Sequence, residues 1–115
     1  MTVNDIIKIL DAKVVADADL NVEVKSACGS DMMSDVLAYV KDQSVLITGL
    51  VNPQVIRTAD MMDIKCIVFV RGKEPDETIA QLAREKMITL ISTKFRMFTA
   101  CGLLYMHGLR GGCWI

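Results

Sequence analysis

The 115 residues, 52% of them hydrophobic, are enough for one domain with its own core and too few for two. Thirteen Lys and Arg face 14 Asp and Glu, a net charge of -1, which excludes the concentrated basic excess of a phosphate-backbone binder and removes nucleic acid as a partner. No apolar stretch approaches the ~20 residues that cross a bilayer, and the first residues lack a basic-then-apolar signal, so a cytoplasmic protein with no membrane partner is expected.

In chain order, Val3, Ile6, Ile7 and Leu10 share one helical face, with Thr2 as N-cap and Asp5 in the first turn. Lys13 to Val15 is a short strand. Asn21 to Ser26 sets Val22 and Val24 against Glu23 and Lys25, the period of a half-buried strand. Gly29, Ser30 and Asp31 then read as a turn and cap before a helix from about 32 to 41, carried by Met33, Val36, Leu37 and Val40.

From Ser44 onward apolar runs alternate with helices. Strands are predicted at Val45 to Thr48, Cys66 to Val70 and Ile88 to Ile91, and helices at Pro53 to Met62 and Pro75 to Lys86. That alternation predicts an α/β fold, a mostly parallel (mixed) sheet flanked by helices. Pro53 and Pro75 fit the first helical position, where no backbone N–H is needed, and Asn52 is a good N-cap. Thr93 is read as the cap of a last helix containing Met97, Phe98, Cys101, Leu104 and Tyr105, which Gly108 stops after His107. The domain is thus placed at 1–108, with 109–115 a flexible apolar tail in which Cys113, Trp114 and Ile115 follow Gly111 and Gly112.

Catalytic and metal motifs are missing. Cys28, Cys66, Cys101 and Cys113 are widely spaced and His107 is the single histidine, so buried thiols are favoured over a metal set, and no metal or cofactor is expected. There is no phosphate-wrapping G-x-x-x-x-G-K-[ST], no G-x-G-x-x-G and no G-x-S-x-G elbow. His107 reads as a partner for the helix C-terminus. Asp31 and Asp35, one turn apart, can share a proton or cation, or simply cap and solvate a helix. The eight methionines, with the pairs Met32-Met33 and Met61-Met62, suit core filling or an adaptable contact surface.

The sharper constellation is positional. Open parallel sheets bind ligands beyond the strand carboxyl ends, where helix N-termini offer free N–H groups to anions. Three turns should meet there, and they supply Thr48, Gly49 and Asn52, then Arg71, Gly72 and Lys73, then Thr93 and Lys94. Together these form a candidate site for a small anionic or nucleotide-like ligand; the plainer alternative is that strand-to-helix turns need small polar residues anyway.

Three segments carry a family resemblance: T-V-x-D-I-I-x-x-L at the N-terminus, G-S-D-M-M-S-D-V-L-A from Gly29 to Ala38, and C-I-V-F-V-R-G-K-E-P-D-E-T-I from Cys66 to Ile79. Over roughly residues 1 to 108 the chain resembles a stand-alone DRTGG domain, a group similar to the N-terminal domain of HPr kinase/phosphorylase and, in shape, to the first domains of Mur ligases. The resemblance implies a mixed sheet flanked by helices. It also implies a non-catalytic role, since such domains serve as regulatory or dimer-forming modules inside CBS-containing pyrophosphatases and phosphate acetyltransferases. Where the eponymous Thr-Gly-Gly would stand, this chain has Val70-Arg71-Gly72, and Val51-Asn52-Pro53 stands near the Asp-Arg. The expected function is therefore a non-enzymatic regulatory module that homodimerises and takes a small anionic ligand. The alternative is an interaction protein whose apolar tail and Met-rich surface dock on a larger protein partner, a redox (hydrogenase-associated) protein or a kinase.

Overall fold

The computed structural model describes residues 1–40 and 43–112. Its elements run α1 (Val3–Ile9), β1 (Lys13–Ala16), β2 (Ser26–Gly29), α2 (Met33–Tyr39), β3 (Ser44–Thr48), α3 (Pro53–Met61), β4 (Cys66–Phe69), α4 (Glu77–Glu85), β5 (Thr89–Ser92) and α5 (Met97–Met106). The sheet order is β1-β5-β4-β3-β2. Four strands are parallel, and β1 closes the far edge antiparallel to β5, which makes the sheet mixed as expected.

Consecutive crossovers of one hand that step one way across a sheet leave their helices on one face. Accordingly α2, α3 and α4 cover one side, where Val36, Ile56 and Ala83 pack on Leu46, Ile67, Phe69 and Leu90. The other side is covered by α1 and α5, whose Ile6, Ala100 and Leu104 pack on Val45, Ile47, Val68 and Ile91. Because both faces are covered, β3, β4 and β5 are buried at every position. That is why they read as continuous apolar runs and not as alternating ones.

Helix α1 has a reciprocal capping box, in which the Asp5 N–H donates to Thr2 Oγ1 and the Thr2 N–H to Asp5 Oδ2. The Thr2 backbone N–H first, and then the Thr2 hydroxyl, favour the ionised carboxylate and hold Asp5 below its usual range. Asn52 caps α3 by accepting from the Val55 N–H, and Gly108, at φ +104°, follows the His107 C-cap of α5. His107 meets the helix end directly, its Nδ1 lying 2.8 Å from the Leu103 carbonyl.

Several expectations are corrected. The strand predicted over Asn21 to Ser26 lies further on, at Ser26–Gly29, so Gly29 is in the sheet and not in a turn. The Val22 and Val24 alternation belongs to a segment tied to the start of α1, with the Val3 N–H donating to Val22 O and the Val24 N–H to Met1 O. Helix α2 begins after Met32 without a side-chain cap, because Asp31 is engaged elsewhere and Ser30 accepts from the Met32 N–H in a local turn. Position 41, the last residue expected in that helix, lies outside the described residues.

Pro75 does not open α4, because Asp76 is its N-cap, accepting from the Ile79 N–H at 3.0 Å. Replacing Asp76 by alanine is expected to cost about 1 kcal/mol in urea unfolding, and an unchanged midpoint would mean that the cap is redundant. Thr93 does not cap α5, which starts after Arg96. Its buried hydroxyl instead donates to the Leu10 carbonyl at 2.8 Å, across to the end of α1. The segment expected to be a flexible tail starts out docked. Leu109 is buried, and the Arg110 carbonyl accepts from the Ala27 N–H at the free edge of β2. Cys113, Trp114 and Ile115 lie outside the described residues. Among the described residues no helix is long and apolar enough to cross a membrane.

Candidate anion site at the strand ends

Parallel pairing brings the carboxyl ends of β2 to β5 to one edge, and hydrogen bonds tie the turns that leave them. Asp31, just past β2, accepts through Oδ1 from the Thr48 hydroxyl at 2.9 Å and from the Gly49 N–H at 2.7 Å. Thr48 Oγ1 in turn accepts from the Leu50 N–H. One carboxylate thus fixes the exit of β3.

Beyond β4 the chain reverses over Val70-Arg71-Gly72-Lys73, with the Lys73 N–H donating to Val70 O. Arg71 at φ +61° and Gly72 at φ +68° are both left-handed, as a type I′ turn demands. Glycine takes that conformation freely, whereas Arg71 holds it at a cost of about 1–2 kcal/mol. The turn persists because neighbours over-determine it. Arg71 N–H donates to Phe95 O and Gly72 N–H to Thr93 O, each at 2.8 Å, and the Ser92 hydroxyl donates to Lys73 O at 2.7 Å.

The side chains close the arrangement over Gly49. Lys73 Nζ donates to the Gly49 carbonyl at 2.9 Å. A Cβ on Gly49 would lie 3.1 Å from Arg71 Nη2 and 3.6 Å from Asp31 Oδ1, so a side chain here would push the Arg71 guanidinium aside. Two exposed cations therefore stand over a buried backbone turn whose carboxylate already serves two donors. The next acid along, Glu74, turns to pair with Lys13 at 3.0 Å.

Of the eight residues proposed from sequence, Thr48, Gly49, Arg71 and Lys73 meet at this spot. Gly72 is at the exposed tip of the turn, and Lys94 is exposed on the neighbouring loop. Asn52 is used as the α3 cap, and Thr93 is buried on Leu10. Asp31 was not among the eight, although it is the residue that joins β2 to the β3 exit. Among the described residues the thiols all titrate above their usual range. Burial pushes Cys66 up to about 12; burial and then the Asp35 carboxylate raise Cys28; burial and then Cys28 raise Cys101. Asp35 is one turn into α2 while Asp31 faces β3, so the two carboxylates serve different neighbours. Among the described residues no group of three His, Cys, Asp or Glu side chains is placed to hold a metal ion.

A five-stranded mixed sheet between two helical layers, with its polar turns gathered at the strand carboxyl ends, defines the class of this domain as α/β. The chain belongs to the DRTGG domain family, whose model matches residues 5–106. Among solved structures it is similar to the CBS and DRTGG domains of the regulatory region of Clostridium perfringens pyrophosphatase, determined in complex with the activator diadenosine tetraphosphate. The two share 18% identity with a TM-score of 0.76, and the match covers 96% of this chain and 48% of that one, a likeness of fold. This chain thus spans about half the length of that neighbour. No curated protein matches the chain.

Proposed function

We propose that this DRTGG domain is a non-enzymatic regulatory module that homodimerises and binds a small anionic, nucleotide-like ligand where Arg71, Gly72 and Lys73 meet Thr48 and Gly49. The observation that carries the ligand reading is the Arg71 turn: a non-glycine residue held left-handed, its guanidinium laid over a glycine, beside a second cation. Asp11, Gln43, Asp63 and Met87 share the positive φ; what sets Arg71 apart is that its guanidinium lies over Gly49 beside the Lys73 ammonium. Guanidinium and ammonium groups together suit phosphate oxygens. The structural neighbour is a regulatory region bound to a dinucleoside polyphosphate activator, which supports a ligand of that chemistry here. Asn52 and Thr93, proposed from sequence, support the surrounding turns, Lys94 is exposed on the neighbouring loop, and none of the three joins the contact of Thr48, Gly49, Arg71 and Lys73.

A thermal-shift panel of inorganic phosphate, nucleoside mono-, di- and triphosphates and diadenosine tetraphosphate tests this reading. A ligand bound by the native state alone stabilises it by about 2.7 kcal/mol at a hundred times its Kd, a rise of roughly 10 °C for a domain of this size. At least one phosphate-bearing compound is expected to give such a rise, and Arg71→Ala is expected to remove it. A flat response across the panel would contradict the reading. Magnesium-dependent phosphate release from ATP is expected to stay at the buffer level, since the chain has no phosphate-wrapping loop; release abolished by a single substitution would make the protein an enzyme.

A further inference from the structure

Helix α5 is apolar on both sides. Ala100 and Leu104 are buried against the sheet, yet Phe98 is 89%, Met106 79% and Tyr105 60% exposed on the other side. A helix that is apolar all round is ordinarily covered all round. Its outer face forms a shallow groove of about 580 Å³ lined by Met97, Phe98, Cys101, Gly102 and Tyr105. Glycine is the least favourable residue for a helix interior after proline, and nothing inside the domain asks for one here. A Cβ on Gly102 would meet no atom within 4 Å. What the missing side chain provides is room for something arriving from outside.

We propose that α5 is the contact surface of a two-fold homodimer, in which the α5 helices of two copies cross at Gly102 and each Phe98 seats in the groove of the other. This rests on the homodimer reading above and goes beyond it by naming the surface. A two-fold interface requires one patch to be complementary to itself. Here the protruding Phe98 and the gap at Gly102 are on the same helix face, one turn apart.

Charge also favours a second copy. Met97, Phe98, Cys101, Gly102, Tyr105 and Met106 carry no charge, so this face meets its own image without repulsion over most of its length. Arg110, at the helix end, is folded back, its guanidinium carbon 3.7 Å from the Tyr105 ring centre and its Nη1 donating to the Tyr105 carbonyl. The area is adequate as well. Aromatic side chains bury roughly 150–250 Å² each, so the exposed parts of Phe98, Tyr105 and Met106 amount to about 450 Å² per copy. A symmetric pair covers about 900 Å², and Met97, Cys101 and Gly102 bring it to the roughly 1,000 Å² of a specific interface.

Sedimentation equilibrium on the full chain, on Phe98→Glu and Gly102→Leu, and on Met61→Glu as a control on α3, decides the matter. Met61 is 73% exposed on the opposite face. The wild type and Met61→Glu are expected at twice the 12.7 kDa chain mass. Phe98→Glu should weaken pairing at least 100-fold and Gly102→Leu at least tenfold, with unchanged circular dichroism because Phe98 is exposed and a Cβ at Gly102 meets no atom of its own chain. If Phe98→Glu does not fold, Gly102→Leu alone decides. A dimer that survives both α5 substitutions would overturn the surface while leaving the homodimer standing. A wild type that stays monomeric at every concentration would overturn the homodimer itself and the surface with it.

Discussion

Replacing Phe69 by alanine is expected to remove about 3–5 kcal/mol of folding free energy. Phe69 ends β4, the central strand, and is fully buried in the layer formed with Leu46, Ile56, Ile67 and Leu90. Helices α2, α3 and α4 cover that layer, and a cavity left between packed helices and a sheet collapses only in part. A domain of this size holds about 5–15 kcal/mol in all, and the variant should be partly unfolded near 37 °C. Urea unfolding with an unchanged slope and a much lower midpoint is the expected record. A loss below about 1 kcal/mol would mean that the centre of the sheet is not packed as described.

The second large effect is on binding. Arg71→Glu replaces the guanidinium over Gly49 with a carboxylate, changing the local charge by two. Near a protein surface, charges about 4 Å apart interact by roughly 4 kcal/mol, and the affinity for a phosphate-bearing ligand should fall at least 100-fold. The fold should survive, because the turn is pinned through backbone N–H groups to Phe95 and Thr93 and not through the Arg71 side chain. Gly49→Val should reproduce much of the loss without altering charge, since a branched side chain there would displace the Arg71 guanidinium from its place over the turn. Calorimetric titration at two salt concentrations checks both. Wild-type affinity in Arg71→Glu would place any ligand elsewhere.

Sequence periodicity was a sound guide where local chemistry decides structure. The three buried strands Ser44–Thr48, Cys66–Phe69 and Thr89–Ser92 stand out as apolar runs, and Asn52 with Pro53 marks the start of α3. It failed where a partner distant in sequence decides. Ser26–Gly29 has no β-branched residue and becomes a strand because β3 pairs with it, while Val22 and Val24, which look like a strand, are held by α1. Thr93 has the composition of a cap but finds the Leu10 carbonyl 83 positions away.

The same distinction divides the candidate site. The glycines and cations of the turns were legible because parallel strands must deliver them to one edge. Asp31 was not, since its partners Thr48 and Gly49 are 17 and 18 positions away and a local reading makes it a cap. The left-handed Arg71 was hidden for a different reason. Type I′ turns favour Asn-Gly, and here only Gly72 carries that signal while the over-determining contacts come from the loop after β5.

A nitrogen–proton NMR titration with the phosphate-bearing panel tests the strand-end site most directly, because Gly49 and Gly72 report from its two sides. Saturating shifts at the amides of Gly49, Arg71, Gly72 and Lys73, lost in Arg71→Glu, are the expected result. Saturating shifts confined to other parts of the sheet or to α5, with Gly49 and Gly72 unmoved, would contradict it.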